Sequence, residues 1–301
     1  MKGPIAFQGE LGAFSQAAVY QLFGDSARVL PCPTFETAFR ALVSGKAAAA
    51  VIPMENSLAG SVHENYDHLL RFDVRIAGET NVRIVHNLIA RPGVRMKTIK
   101  RVYSHPVALN QCRKFFEHNP KIEPTPFYDT AGSVKMIVSE GLEDAAAIAS
   151  GIAAATYGAN ILKAGIEDDR QNFTRFFHLQ RASARQPRAL EKKNWKTSVV
   201  FTTRNSPGAL FRGLSAFALR DVNLTKIESR PLRGKPWEYL FYLDFDGRQE
   251  DVHVSNALRH LEELADFIRV LGSYPAASSD AQRQPLRKHR RQLLKKIPKK
   301  F

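Results

Sequence analysis

Only two cysteines, Cys32 and Cys112, occur in 301 residues, far apart and in no paired spacing. That excludes a disulfide framework and a thiolate metal site and leaves reduced thiols as the simplest account. No apolar run approaches the roughly 20 residues a membrane-spanning helix needs. The N-terminus, MKGPIAFQGELG, enters a strand at once, without a charged leader, apolar stretch and cleavage site in series. Export and organelle import are not indicated, and a cytoplasmic location is expected. The nine histidines offer no ligand pair: His63 and His68 are five apart, off the helical i,i+4 register. Acids are few beside bases, 29 against 44, for a net charge of +15. The excess is uneven. Nine Lys or Arg and one acid, Asp280, lie between Ala276 and Phe301, so +8 belongs to that tail and +7 to the body. The tail has no aromatic residue before Phe301, which reads as a disordered, solvated arm rather than a nucleic-acid site. A basic body suits an anionic small substrate.

What is present is a strand–helix rhythm in a chain long enough for two or three cores. From Pro4 to about Leu179 strands and helices alternate, which implies a mainly parallel sheet. Residues 4–8 read as a strand, followed by a Gly9–Phe14 turn into a helix capped by Ser15 and ended by Gly24. Val29–Pro31 is a short strand, and Phe35, Ala38, Phe39 and Leu42 repeat at helical spacing before Gly45. Ala48–Pro53 is apolar throughout, the signature of a parallel strand buried on both faces. A second lobe begins near Asn81, with strands at 83–90 and 101–104 and one helix from Val107 to His118. Phe173–Gln180 reads as a strand returning to the first sheet. Arg181–Lys196, polar, basic and interrupted by Pro187, is the linker. Residues 197–275 then spell βαββαβ, a ferredoxin-like domain. The expected architecture is α/β: lobe 1 over about 1–80 and 165–180, lobe 2 over about 81–164, a small domain over 197–275 and a basic tail over 276–301.

Four segments carry chemistry. Glu55-Asn56-Ser57 follows the buried strand, where loops of open α/β sheets line the ligand crevice; helix capping by Asn56 or Ser57 fits equally. Gly9-Glu-Leu-Gly12-Ala-Phe-Ser15 is a glycine turn into a helix, suited to an anion on free N–H groups or to a plain tight turn. Its spacing and the acid-free Leu30-Pro31-Cys32 argue against a dinucleotide. Tyr103-Ser104-His105-Pro106 through Gln111 ends a strand in hydroxyl and imidazole, with no third group for a nucleophilic pair. Asp129-Thr130-Ala131-Gly132-Ser133 and Asn172-Phe173-Thr174-Arg175-Phe176 complete the set.

In this order the segments GELGAFSQAA, PMENSLAGSV, YSHPVALNQC, DTAGSV and NFTRF resemble the prephenate dehydratase family, over about Pro4 to Pro275. The downstream domain resembles an ACT regulatory domain, with Gly208-Ala209-Leu210 and Glu228-Ser229-Arg230-Pro231 in place. Gly132 and Ser133 depart from the alanines common there. With no chorismate mutase segment ahead of Met1, the likeness is to the monofunctional form.

The resemblance implies a two-lobed, periplasmic-binding-protein-like catalytic region that converts prephenate to phenylpyruvate, a carbon–oxygen lyase of phenylalanine biosynthesis. Thr174 would hydrogen-bond the departing hydroxyl. Asn56, Ser104, Gln111 and Glu55 join it as catalytic residues, and Ser57, His105, Thr130, Arg175, Gly12 and Ser15 bind substrate. No metal or organic cofactor is required. Phenylalanine would be the effector, held by Asn205, Gly208, Ala209, Leu210, Glu228, Ser229, Arg230 and Pro231, in a homodimer or homotetramer. Three alternatives stay open: the same chemistry on arogenate, a non-catalytic two-lobed amino-acid sensor, and a nucleic-acid binder using the +8 tail over residues 276–301.

Overall fold

The computed structural model describes residues 3–184, 194–232, 234–235 and 237–277. Most of the linker (185–193) and the basic tail from residue 278 lie outside the described residues. The chain folds into two compact units. One takes residues 3–68 and 80–176 and the other residues 69–79 with 177–277.

In chain order the first elements are β1 (Ile5–Gln8), α1 (Phe14–Phe23), β2 (Val29–Cys32), α2 (Phe35–Val43), β3 (Ala49–Asn56), β4 (Gly60–Ser61), α3 (His63–Arg71) and β5 (Val74–Arg83). Then come β6 (Asn87–Ala90), β7 (Arg101–Ser104), α4 (Pro106–Asn110), α5 (Arg113–Glu117), β8 (Glu123–Pro126), α6 (Thr130–Ser139), β9 (Ala145–Ala149), α7 (Gly151–Thr156), β10 (Asn160–Lys163) and β11 (Phe173–Arg181).

The first sheet runs β2-β1-β3-β11-β5, with β1 parallel to both β2 and β3. β3 is interior, and its residues Ala49 to Ile52 are fully buried, which is why the segment is apolar without alternation. The second sheet runs β10-β6-β9-β7-β8. Here β7 is parallel to β8 and β9, while β6 is antiparallel to β9 and β10, so the sheet is mixed where a mainly parallel one was expected. Strands β2, with Pro31, and β8, with Pro124 and Pro126, sit at sheet edges, where a missing N–H costs the sheet least. A single core, built from Phe7, Val51, Ile89, Val134, Ile137, Ala147 and Phe176 among others, joins the elements of both sheets.

Three sequence expectations need correction. Helix α1 starts at Phe14 with Ala13 at its N-cap, so Ser15 lies buried inside the first turn and caps nothing. The strand expected over 83–90 is two pieces, β5 and β6, with residues 84–86 between them. The single helix expected over 107–118 is broken into α4 and α5. The break has a cause 55 residues downstream: the Asp168 carboxylate accepts from the backbone N–H of Arg113 (2.9 Å) and Lys114 (3.0 Å), opening a new helix there.

The second unit carries β12 (Trp195–Thr202), α8 (Ala209–Ala218), β13 (Leu224–Pro231), β14 (Tyr239–Asp246), α9 (Val252–Leu264) and β15 (Phe267–Pro275). Its sheet, β13-β14-β12-β15, is antiparallel throughout, the ferredoxin-like order. Helices α8 and α9 bury Val199, Phe201, Phe217, Leu243, Phe245, Val254 and Leu261 against it. The same unit holds the start of β5. Arg269 of β15 donates to the carbonyls of Leu70, Phe72 and Val74, and Lys196 pairs with the buried Glu79 at 3.2 Å.

Among the described residues, no helix is long and apolar enough to cross a membrane.

Candidate active site

Strand β3 ends in Glu55 and Asn56, and β11, its neighbour in the first sheet, begins with Phe173-Thr174-Arg175. Adjacent strand ends therefore bring together residues nearly 120 positions apart. The Asn56 amide is the hub. Its Nδ2 donates to Asn172 Oδ1 (2.7 Å), Thr174 Oγ1 (3.0 Å) and Phe173 O (3.1 Å). Its Oδ1 accepts from the backbone N–H of Leu58 (3.0 Å) and Ala59 (2.8 Å). Backbone groups at both ends thus fix which way the amide faces, and Thr174 Oγ1 can only accept from it. The hydrogen of Thr174 is left to point at another acceptor, and the side chain is half-buried, not sealed.

The second sheet contributes Gln111, delivered by the break between α4 and α5. Gln111 Oε1 accepts from Asn172 Nδ2 and from His86 Nε2, each at 2.9 Å. Asn172 lies in a segment the sequence singles out but has no role assigned there, and His86 is not singled out at all. For His86 a signal existed: His86-Asn87 interrupts the otherwise apolar run Ile84 to Ala90. Burial lowers the His86 pKa from its ordinary value, partly offset by the Gln111 bond and the nearby Glu167.

Beside this cluster Arg175 Nη1 meets Glu55 Oε1 at 3.0 Å. Arg175 is 9% exposed, so it is no surface charge, and Glu55 supplies the carboxylate it faces. Ser57 clamps the same strand ends: its Oγ donates to Gln171 O (2.7 Å) and accepts from Phe173 N–H (2.9 Å).

The other expected residues fall elsewhere. Ser104 is fully buried at the end of β7, and its hydroxyl donates to Ile148 O (2.7 Å), which corrects its reading as a group facing substrate. His105 is the exposed N-cap of α4, its Nδ1 accepting from Val107 N–H. Gly12 is a packing glycine: at φ 91°, an added Cβ would lie 2.5 Å from Ala153 Cα. Its N–H donates to Gln16 Oε1 (2.6 Å), its carbonyl accepts from Ser150, and the N–H groups of Gly9 and Ala13 are engaged on Cys32 O and Glu10 O. The N–H groups of Gly9, Gly12 and Ala13 are thus already taken and not offered to an anion.

Thr130 opens α6, whose N-cap Asp129 accepts from Gly132 N–H (2.7 Å); burial raises the Asp129 pKa, against its backbone hydrogen bonds. Across from it, Glu10 reaches Tyr128 Oη (3.2 Å) and Lys135 Nζ (3.1 Å).

In the second unit Gly208, at φ 74°, is the N-cap of α8, and Ala209 and Leu210 begin that helix. Asn205 lies exposed in the preceding loop. On β13 burial alternates: Glu228 and Arg230 share the half-buried face with Lys226, while Ser229 and Pro231 are exposed on the other.

Among the described residues, no group of three or more His, Cys, Asp or Glu is placed to hold a metal ion.

Several known proteins are similar. A protein from Arabidopsis thaliana named arogenate dehydratase/prephenate dehydratase 2, chloroplastic, is 46% identical over 282 residues, covering 90% of this chain and 72% of its own. A crystal structure of a prephenate dehydratase in complex with L-Phe, from Arthrobacter aurescens, superposes with a TM-score of 0.82 at 37% identity, covering 94% of this chain and 91% of that one. A structure described as a novel type of quorum-quenching acylase superposes with a TM-score of 0.84 at 34% identity, over 93% and 99% of the two chains. The family model described as prephenate dehydratase matches residues 5–184, the stretch that holds every residue of the Asn56–Thr174 cluster, and the chain belongs to that family.

Proposed function

We propose that this chain is a prephenate dehydratase, forming phenylpyruvate in phenylalanine biosynthesis. The observation that carries the reading is the Thr174 hydroxyl, obliged to accept from Asn56 and so free to donate outward. In the reaction the ring carboxylate leaves as CO2 and the pair of that C–C bond enters the ring. The C–O bond on the opposite ring carbon breaks with its pair on oxygen, which takes up a proton and departs as water. Aromatisation drives this downhill, so orientation and one donor at the departing oxygen suffice. Thr174 is that hydrogen-bond donor, orienting and polarising the departing hydroxyl, and the proton that completes the water comes from solvent. Asn56, Asn172 and Gln111 hold Thr174, and the Glu55–Arg175 pair fixes the two strand ends. Thr130, at the start of α6, is assigned to a substrate carboxylate in this reading. Lobes over about 1–80 with 165–180 and over 81–164 are the catalytic parts, and 197–275 the regulatory one.

Arogenate is the second substrate to test, because relatives above 40% identity carry that name. Acyl-amide hydrolysis is less well supported: Ser104 is buried and bonded to a carbonyl, and the groups hydrogen-bonded around Thr174 are amides. Phenylalanine is the proposed effector, in line with the L-Phe complex of the Arthrobacter aurescens protein. Its binding segments are Asn205 to Leu210 and Glu228 to Pro231.

The test supplies prephenate and arogenate to the purified protein and follows phenylpyruvate and phenylalanine. Prephenate turnover is expected, falling about 100-fold or more in Thr174→Ala at an unchanged melting temperature. Equal turnover in wild type and variant would remove Thr174 from the mechanism.

A further inference from the structure

We propose that His86 is a positioning residue of this site: donating through Nε2–H to Gln111, it holds the amides that orient Thr174. The kinetic part rests on the dehydratase reading; the hydrogen-bond assignment does not.

The assignment follows from donors and acceptors alone. The backbone N–H groups of Leu58 and Ala59 demand the Asn56 oxygen, and the Phe173 carbonyl demands its NH2. Asn56 therefore donates to Asn172 Oδ1, which leaves the Asn172 NH2 to donate to Gln111. Gln111 must then present Oε1, and that oxygen also faces His86 Nε2 at 2.9 Å. An acceptor there requires hydrogen on Nε2. His86 is thus the neutral Nε2–H tautomer, with a bare Nδ1 that is buried and meets no hydrogen-bond partner. A second proton on Nδ1 would meet no acceptor, so the donor role persists without a change of charge.

The surroundings hold the ring where this role needs it. His86 is 2% exposed, and Phe14 packs edge-on to it with centroids 5.6 Å apart. Its backbone N–H donates to Glu167 Oε2 (3.0 Å), and Glu167 Oε1 is held by Arg83 (2.9 Å). Gln111 is tied down from the other side, its carbonyl accepting from Asp168 N–H at 2.8 Å. Without His86 the Gln111 amide loses one of the two donors on Oε1 and can rotate away from Asn172. Thr174 would then be aimed less well while substrate contacts stay in place, which predicts a loss in kcat larger than any change in KM.

The test has two arms. Protein labelled with 15N at histidine is read by NMR, with His86 assigned from the signals missing in His86→Gln. The expected pattern is a protonated Nε2 and a bare Nδ1 between pH 6 and 7. Prephenate kinetics then compare His86→Leu, which has no donor, with His86→Gln, whose amide can still donate. The leucine variant should lose kcat about 10-fold, and the glutamine variant should stay within about threefold of wild type. A hydrogen on Nδ1 instead of Nε2, or equal losses in both variants, would overturn the proposal. If wild type turns over neither prephenate nor arogenate, the dehydratase reading fails, and the NMR pattern still decides the network.

Discussion

Strands β1 and β3 are parallel neighbours, and each ends in a polar turn of similar promise, yet the two turns do opposite work. After β1, the Gly9–Phe14 turn closes on itself: Gly12 packs on Ala153, and its N–H and carbonyl are both engaged. After β3, Asn56 gathers groups from two places in the chain, residues 58–59 and 172–174, and leaves a threonine hydroxyl free to donate. Glycines and polar residues at the carboxyl end of a strand therefore say that the chain turns there. Whether a ligand can bind depends on which donors and acceptors the fold has already filled.

Gly12→Ala tests this contrast most severely. The left-handed φ and the backbone clash with Ala153 together should destabilise the protein by about 4 kcal/mol. Gly24→Ala, also at positive φ (83°) but with nothing within 4 Å of the added Cβ, should lose only about 1 kcal/mol. Urea unfolding reads both. Normal stability in Gly12→Ala with lost turnover would make the turn a binding site after all.

Asn56→Asp probes the turn after β3. A carboxylate cannot donate to Thr174 Oγ1 or the Phe173 carbonyl, while it can still accept from Leu58 and Ala59 N–H groups. Turnover should fall about 100-fold, about 2.7 kcal/mol of barrier, with the melting temperature far less affected. An aspartate variant as active as wild type would show that the hub is only structural.

These contrasts also mark what sequence can carry. The order of elements was readable because β3 is apolar on both faces and the helices of the second unit keep one apolar side. The break at Gln111 was not, because its cause is the Asp168 carboxylate 55 residues away. The pairing of Asn56 with Thr174 has no local signature either; it came with the family resemblance. Ser104 misled for the converse reason: a serine ending a parallel strand looks like a ligand group until Ile148 O is seen to take its hydrogen.

Each unit holds a histidine whose pKa burial lowers, His86 in the first and His178 in the second. In the second unit loss of hydration pushes the His178 pKa down to about 4, with the Arg75 charge adding to it. Unfolded, the imidazole titrates near 6.5. Between those values the unfolded chain binds more protons, so stability is fully present above about pH 6.5 and is lost as pH falls toward 4. The effect should reach about 2 kcal/mol, allowing for the side chain's partial exposure. His178→Gln should flatten the slope of unfolding free energy between pH 6.5 and 4, and an unchanged slope would place the proton elsewhere.

Ser57→Ala should be the mildest of these changes. Its hydroxyl donates to Gln171 O and accepts from Phe173 N–H, both exposed, so water can replace it at little loss. Stability should drop by about 1 kcal/mol in urea unfolding. KM and kcat should both stay within about twofold, because Ser57 N–H still pairs with Phe173 O and holds the strand ends together. Asn56, one residue away, behaves differently: the same loop carries a hydroxyl that fastens backbone to backbone and an amide that aims a side chain. A large rise in KM for Ser57→Ala, with stability unchanged, would move this hydroxyl into the substrate-binding set and redraw the site one residue further along the turn.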